Sequence, residues 1–373
     1  MKKEWYAIAV MLGMIVGAGV LGIPYAFAKS GLWYGLLNLL VVGFFVTLIN
    51  LQLGEVILRT NGKHQLTGYA EKYLGRIGKE LMAFSMILGI YGAMIAYLIG
   101  AGETLASLFG GNWLYYMIVY FVVFSSLVYA GIKTVSRSEF IFMFVKLAVF
   151  LGVIISLLAF LRMDSIINKS FSLSTSFFPF GIVLFSLLGM GSIPEAREVL
   201  EKDAKKFKRV IFLGSIIPIV AYAIFGTVFV MALGTNVTEV ATIALQNVGA
   251  VSFILGSSFA LFAMTTAYLA NGLALQEMYN YDYRINRKIS FILTCAVPLL
   301  LILLGVKSFI KTIGIAGAIS GTVAAVLVTL MFYRSKKSGE RNPEYNLSKN
   351  YMLSAIAVLV FIIGMVFELL NML

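Results

Sequence analysis

The stretch GAGVLGIPYAFA at residues 17–28 lies inside an apolar run long enough to cross a membrane. Glycine costs about 1 kcal/mol and proline about 3 kcal/mol relative to alanine in a helix interior. A segment built only to span a bilayer would avoid Gly17, Gly19, Gly22 and Pro24 so close together. Three readings compete: a cleaved leader, a close-packed helix crossing, and a helix that is broken. Lys2, Lys3 and Ala26-Phe27-Ala28 fit the flanks of a leader. Against it, the run from Trp5 to Ile23 exceeds the roughly 7–15 residues of a leader's apolar core.

Composition sets the class. The chain has 373 residues, of which 60% are hydrophobic and 12% charged, with a mean hydropathy of +0.94. Soluble domains hold about 25% charged residues, so this is an all-α membrane protein with many spans. At about 20 apolar residues per crossing, eleven spans are expected, at about 5–28, 33–58, 80–109, 113–131, 139–161, 178–200, 208–233, 251–277, 288–306, 310–333 and 351–371. With the N-terminus in the cytoplasm, 23 of the 29 lysines and arginines fall in inner segments and 5 in outer loops. The positive-inside rule then predicts the N-terminus in and the C-terminus out. The same pattern accounts for the net charge of +12 without nucleic acid as a partner. Cys295 and His64 are the single cysteine and histidine, so neither a disulfide nor a His/Cys metal site is expected. No GxxxxGK[ST], GxSxG or HExxH pattern occurs, which argues against ATP-driven transport and against an enzyme. The segment GKHQLTGYAEKYLG at 62–75 reads as an amphipathic inner loop.

A partner to the first interrupted span stands in the sixth, FSLLGMGSIPEA at 185–196. Five spans separate the two, and an odd number of spans per half inverts one half relative to the other. Paired glycine- and proline-interrupted spans in matching places mark the binding site of a secondary transporter. Unwinding frees backbone N–H and C=O groups, which lipid does not tolerate and a cavity does. Freed N–H groups suit a carboxylate and freed carbonyls suit an ammonium. An amino acid carries both. Close helix packing by small residues is the alternative for either span taken alone.

Lys146 falls inside the fifth span, seven residues beyond Glu139, at a depth of about 10 Å. An intramembrane lysine is a functional candidate by default. Burial disfavours the ammonium, so it can release its proton; snorkelling to the inner interface is the bland alternative. Thr265 and Thr266, near the middle of the eighth span, can meet an ion, a lysine or their own helix carbonyls. Glu55 stands four residues before Arg59, the spacing of a structural pair. Glu103 reads equally as a gate or an interface residue, and Tyr91 and Tyr97 as cavity lining or packing.

In GAGVLGIPYAFAKSG, GIKTVSRSEFIFMFVKLAVFLG at 131–152 and DAKKFKRVIFLGSIIPIVAY at 203–222, the chain resembles the amino acid/auxin permease family, near the bacterial aromatic amino acid permeases. The likeness covers nearly the whole length. It implies the LeuT-type fold: inverted five-helix repeats at 1–161 and 178–333, with an accessory eleventh helix at 351–371. It implies that Gly17, Ala18, Gly19, Val20 and Leu21 present backbone to a substrate carboxylate. Phe185, Ser186, Leu188, Gly189 and Met190 would hold the amino group and shape the side-chain pocket. Lys146 matches a fifth-span lysine that replaces a structural sodium between spans one and eight in proton-coupled relatives. Thr265 and Thr266 are what a sodium site would use. Met190 and Gly191 depart from the Phe-Glu of other branches, so side-chain preference does not carry over.

The expected function is secondary active transport of a neutral amino acid by alternating access, in a multi-pass protein of the plasma membrane, with a proton as coupling ion and no cofactor. Sodium coupling, ion-independent exchange and a non-transporting sensor on the same fold are the alternatives.

Overall fold

The computed structural model describes every residue except Met1, 131–133, 166–171, Lys202, Asp282 and Leu373. The described regular structure is helical. The chain runs through α1 (Lys2–Ile15), a 3-10 helix (Ala18–Gly22), α2 (Ile23–Ser30), α3 (Leu32–Leu58), α4 (Leu66–Phe109), α5 (Trp113–Ala130) and α6 (Thr134–Leu157). It continues with α7 (Leu173–Phe177), α8 (Phe180–Leu187), α9 (Ser192–Leu200), α10 (Phe207–Leu233), α11 (Ala250–Tyr281), α12 (Arg287–Leu303), α13 (Phe309–Ser338) and α14 (Tyr351–Met372).

Among the described residues, eight helical segments are long and apolar enough to cross a membrane, or nine if the pair Lys3–Ile15 and Ala18–Ser30, bent by 51°, is one span. Helix also occupies the expected fifth and ninth spans, in shorter apolar pieces: Val145–Phe160 and the 17-residue α12. Large apolar side chains face outward along whole helices. Examples are Leu37, Leu40 and Phe44 on α3 and Ile118, Val122 and Val123 on α5. Such continuous apolar surface belongs in lipid.

The third span departs from expectation. Its helix begins at Leu66, within the stretch read as a loop, and bends at Gly75, whose φ is 75°. Leu66, Tyr69, Ala70 and Tyr73 are buried, the i, i+3, i+4, i+7 stripe of a helix lying on the bundle. Glycine adopts that positive φ without penalty.

Both interrupted spans are broken. α1 packs against α9, while α8 packs against the 3-10 helix and α2. The first span therefore runs α1 to α2 along a partner that runs α9 to α8, so the two broken helices lie antiparallel. α13 packs against α4, α3 and α8 and holds the centre of the bundle.

At the basic end a buried ion cluster fixes the frame. Glu55 Oε1 accepts from Arg59 Nε at 2.8 Å and from Lys336 Nζ at 2.7 Å, and its Oε2 accepts from the Leu347 N–H at 2.6 Å. Lys336 also donates to Asn346 Oδ1 and to the Leu347 carbonyl, each at 2.6 Å. The Glu55 side chain is 0% exposed and that of Lys336 4%, so neither charge has water to fall back on. Removing one partner of a buried pair typically costs about 3–5 kcal/mol. Lys336→Met is therefore expected to destabilise the fold by about 3 kcal/mol, read as a lowered midpoint of thermal unfolding in detergent, while Lys337→Met at an exposed position leaves the midpoint unchanged.

Candidate functional site at the two helix breaks

The first break falls at Val16 and Gly17. Gly17 is extended at φ −107°, ψ −156°, and the chain resumes as the 3-10 helix at Ala18. The second falls at 188–191, between α8 and α9. Each break is patched locally. The Gly17 N–H donates to the Ile15 carbonyl at 2.8 Å. The Ser192 N–H and hydroxyl both donate to the Gly189 carbonyl, at 3.0 and 2.7 Å.

Glycine permits the two breaks to meet. A Cβ at Gly19 would stand 2.8 Å from both Cα and Oγ of Ser186 and 3.1 Å from the Phe185 ring. A Cβ at Gly189 would stand 2.2 Å from Ile15. At Gly17 the packing is ordinary van der Waals contact, with the Tyr97 hydroxyl and Ala267 Cβ each 3.8 Å from the corresponding point. The structure thus brings Gly19, Phe185 and Ser186 into one contact and leaves Gly17 facing α4 and α11. Ala18, Val20 and Leu21 are fully buried, and the Val20 carbonyl is taken by the Ile23 N–H. Met190 is buried, whereas Phe185 and Leu188 are half-buried.

Tyr222 of α10 joins the breaks. Its hydroxyl donates to the Ile15 carbonyl at 2.8 Å and lies 3.3 Å from the Ser186 carbonyl. These carbonyls belong to the last turns of α1 and α8, where helical partners run out. The phenol is fully buried. Nothing in the local sequence AYAIFG distinguishes this tyrosine from a packing residue.

Lys146 is 6% exposed on α6, which packs against α1, α10 and α11. Its helix therefore lies between the first and eighth spans. Thr265 Oγ1 accepts from the Tyr120 hydroxyl at 3.0 Å. Thr266 Oγ1 donates to the carbonyls of Phe262 and Ala263, at 3.0 and 3.2 Å. Tyr97 accepts from Asn271 Nδ2 at 3.4 Å, beside Gly17. Tyr91 sits apart, donating to the Leu293 carbonyl at 3.0 Å and sharing a 2.8 Å hydrogen bond with Tyr279.

A cavity of about 590 Å³ opens where α2, α4 and the 238–243 segment converge. Tyr25, Glu103, Trp113 and Glu239 line it. Tyr25 lies on α2, one half-helix beyond the first break, so the cavity is at the end of the bundle opposite Lys3 and Glu201. Of its two carboxylates, Glu239 is committed: it accepts from the Ser308 hydroxyl and the Ile310 N–H.

The family profile described as the tryptophan/tyrosine permease family matches residues 1–369. The chain belongs to this family. The permease is 25% identical to tyrosine-specific transport system 1 of Haemophilus influenzae, over 96% of this chain and 95% of the relative. It is 24% identical to glutamine transporter 2 of Aliivibrio fischeri, over 92% of each. It is 26% identical to tyrosine-specific transport system 2 of Haemophilus influenzae, over 99% and 96%. Among solved structures, the inward-facing conformation of Mhp1 superposes with a TM-score of 0.67, covering 98% of this chain and 88% of that one at 15% identity. That likeness shows the fold, the LeuT type. The chain is a carrier rather than an enzyme, and a multi-pass membrane protein; in a bacterium its place is the plasma membrane.

Tyr222→Phe leaves the Ile15 carbonyl with the Gly17 N–H alone and takes the phenol from the Ser186 carbonyl, and a stranded buried acceptor typically costs about 1–3 kcal/mol. Gly19→Ala forces Ser186 backbone to shift, an overpacking penalty of similar size, about 1–3 kcal/mol. Both variants are expected to lower the thermal midpoint in detergent, whereas Gly13→Ala, where a Cβ meets nothing within 4 Å, is expected to hold or raise it.

Proposed function

We propose that this permease is a secondary active carrier of a neutral amino acid, working by alternating access in symport with protons. In this reading the chain crosses the membrane eleven times, N-terminus in and C-terminus out. Residues 1–161 and 178–333 are inverted five-helix repeats, and 351–371 is an accessory helix. The observation that carries the reading is the antiparallel meeting of two broken helices, with one phenol bridging their freed carbonyls. Inverted repeats juxtapose breaks in this way. The relatives named for tyrosine and for glutamine transport support a substrate whose side chain carries no charge.

The substrate backbone binds at the breaks. Gly17, Ala18, Gly19, Val20 and Leu21 present backbone to the carboxylate. Phe185, Ser186, Leu188, Gly189 and Met190 hold the ammonium and shape the side-chain pocket. Gly17, which faces the Tyr97 hydroxyl and Ala267, puts the break next to α4 and α11. The cavity beyond α2 is the approach to it, and Glu103 attracts the substrate's ammonium there.

Lys146 couples the proton. Charged, it holds the first-span break in one state; neutral, it loosens it. Its near-complete burial on a helix seated between α1 and α11 supports this. Sodium symport is the second reading. It rests on the Thr265 and Thr266 hydroxyls of the eighth span, and the engagement of the Thr266 hydroxyl by its own helix weighs against it.

Uptake of a labelled amino acid mixture into sodium-free proteoliposomes is expected to accumulate under an inward proton gradient and to collapse with a protonophore. Lys146→Met is expected to abolish the gradient dependence while leaving substrate binding measurable by calorimetry. Unchanged gradient-driven uptake in that variant would remove the coupling role, and accumulation only with sodium would move it to Thr265 and Thr266.

A further inference from the structure

Glu368 is the sole charged residue of α14, and it is 0% exposed. Its Oε2 accepts from the Gly181 N–H at 3.3 Å, and its Oε1 is buried with no hydrogen-bond partner. Gly181 lies in the first turn of α8, the half-helix that leads into the second break, so its N–H has no acceptor within that helix. The fit is tight. A Cβ on Gly181 would stand 2.2 Å from the Gly314 carbonyl oxygen and 2.8 Å from Glu368 Cδ. A backbone acceptor and the carboxyl group therefore crowd one spot.

Among the described residues no charge answers this carboxyl. α14 packs against α7, α8 and α13 and touches α3 through Gln52–Ser354 and Phe45–Phe361; on α3 the titratable groups are the half-buried Tyr34 and Glu55 of the ion cluster. Neither α7 nor α8 carries a titratable side chain. On α13, the charged residue nearest Gly314 in sequence is Lys311, whose side chain is exposed; Tyr333, Arg334, Lys336 and Lys337 lie at the far end of that helix.

The donor inventory decides the protonation state. An ionised carboxylate only accepts, and here a single N–H would have to serve both of its oxygens. The side chain is 0% exposed and, among the described residues, no cation pairs with it, so burial opposes the charge. The helix N-terminus favours the anion, but through one long hydrogen bond. A protonated carboxyl carries no charge, so the same burial costs it far less.

We propose that Glu368 is a proton-binding site, a neutral carboxylic acid while α8 is seated on α13 and α14. On protonation the carboxylate takes a proton from hydronium and releases water; the reverse occurs when α8 lifts and water reaches the group. Lys146 lies on a different helix, α6, so this site does not depend on the role proposed for that lysine.

Infrared difference spectroscopy of the purified chain in lipid vesicles tests it, without any transport assay. At neutral pH the wild-type protein is expected to show a protonated-carboxyl C=O band that Glu368→Gln lacks and Glu103→Gln retains. Glu368→Asp, whose shorter side chain moves the carboxyl away from Gly181, is expected to shift that band, and it serves as the second variant should Glu368→Gln not fold. Absence of the band in the wild type, its persistence undiminished in Glu368→Gln, or its failure to move in Glu368→Asp would each overturn the assignment.

Discussion

One phenolic hydrogen faces two backbone carbonyls, and much of the bundle is arranged around that fact. Breaking a helix inside a membrane releases groups that lipid cannot satisfy. Two breaks double the need. Tyr222 meets part of it for both spans at once, from a third helix, α10. Because it has a single proton to give, the shorter contact to Ile15 and the longer one to Ser186 cannot both be strong. The phenol therefore ties the relative position of α1 and α8 to the choice between them.

Glycine supplies the other half of the constraint. Gly19 lets the first break reach Ser186, and Gly189 lets the second receive Ile15. On the far side of α8, Gly181 and Gly317 bring that half-helix against α13 almost backbone to backbone, each with the other helix's carbonyl oxygen within 2.3 Å of where a Cβ would be. The glycines that weaken the helices as isolated elements are what let them pack once broken. Local propensity loses to tertiary geometry here, and the loss is confined to the site.

The breaks were legible because proline and glycine carry backbone conformation in their identity. So was the Glu55–Arg59 pair, since charge and spacing suffice. Sequence did not reveal the third member, Lys336, because it arrives from 281 residues away. Tyr222 was hidden for a different reason: a tyrosine in an apolar span packs far more often than it bridges, and only the positions of α1 and α8 tell the two apart. The segment 66–74 misled because its buried stripe was read beside polar neighbours, and the span was placed from about Glu80 onward instead of before the bend at Gly75. Glu368 was visible as a carboxyl in an apolar run, but its meaning depends on Gly181 and Gly314, which only the fold brings to it.

The two halves of each broken helix are restrained by forces of different kinds. At the basic end α1 is tied to its neighbours by Lys3–Glu201 and Glu4–Arg209, and α9 by Lys63–Glu198; in each pair at least one side chain is more than two-thirds or half in solvent. At the other end α8 is held by glycine-mediated contact within the apolar interior. Ionic strength, with a screening length of about 8–10 Å near physiological salt, weakens exposed pairs as it rises and leaves close packing untouched. Salt therefore acts on this molecule as a directional bias, loosening one end and sparing the other, and the balance between its two faces is set in part by the electrolyte in which it sits.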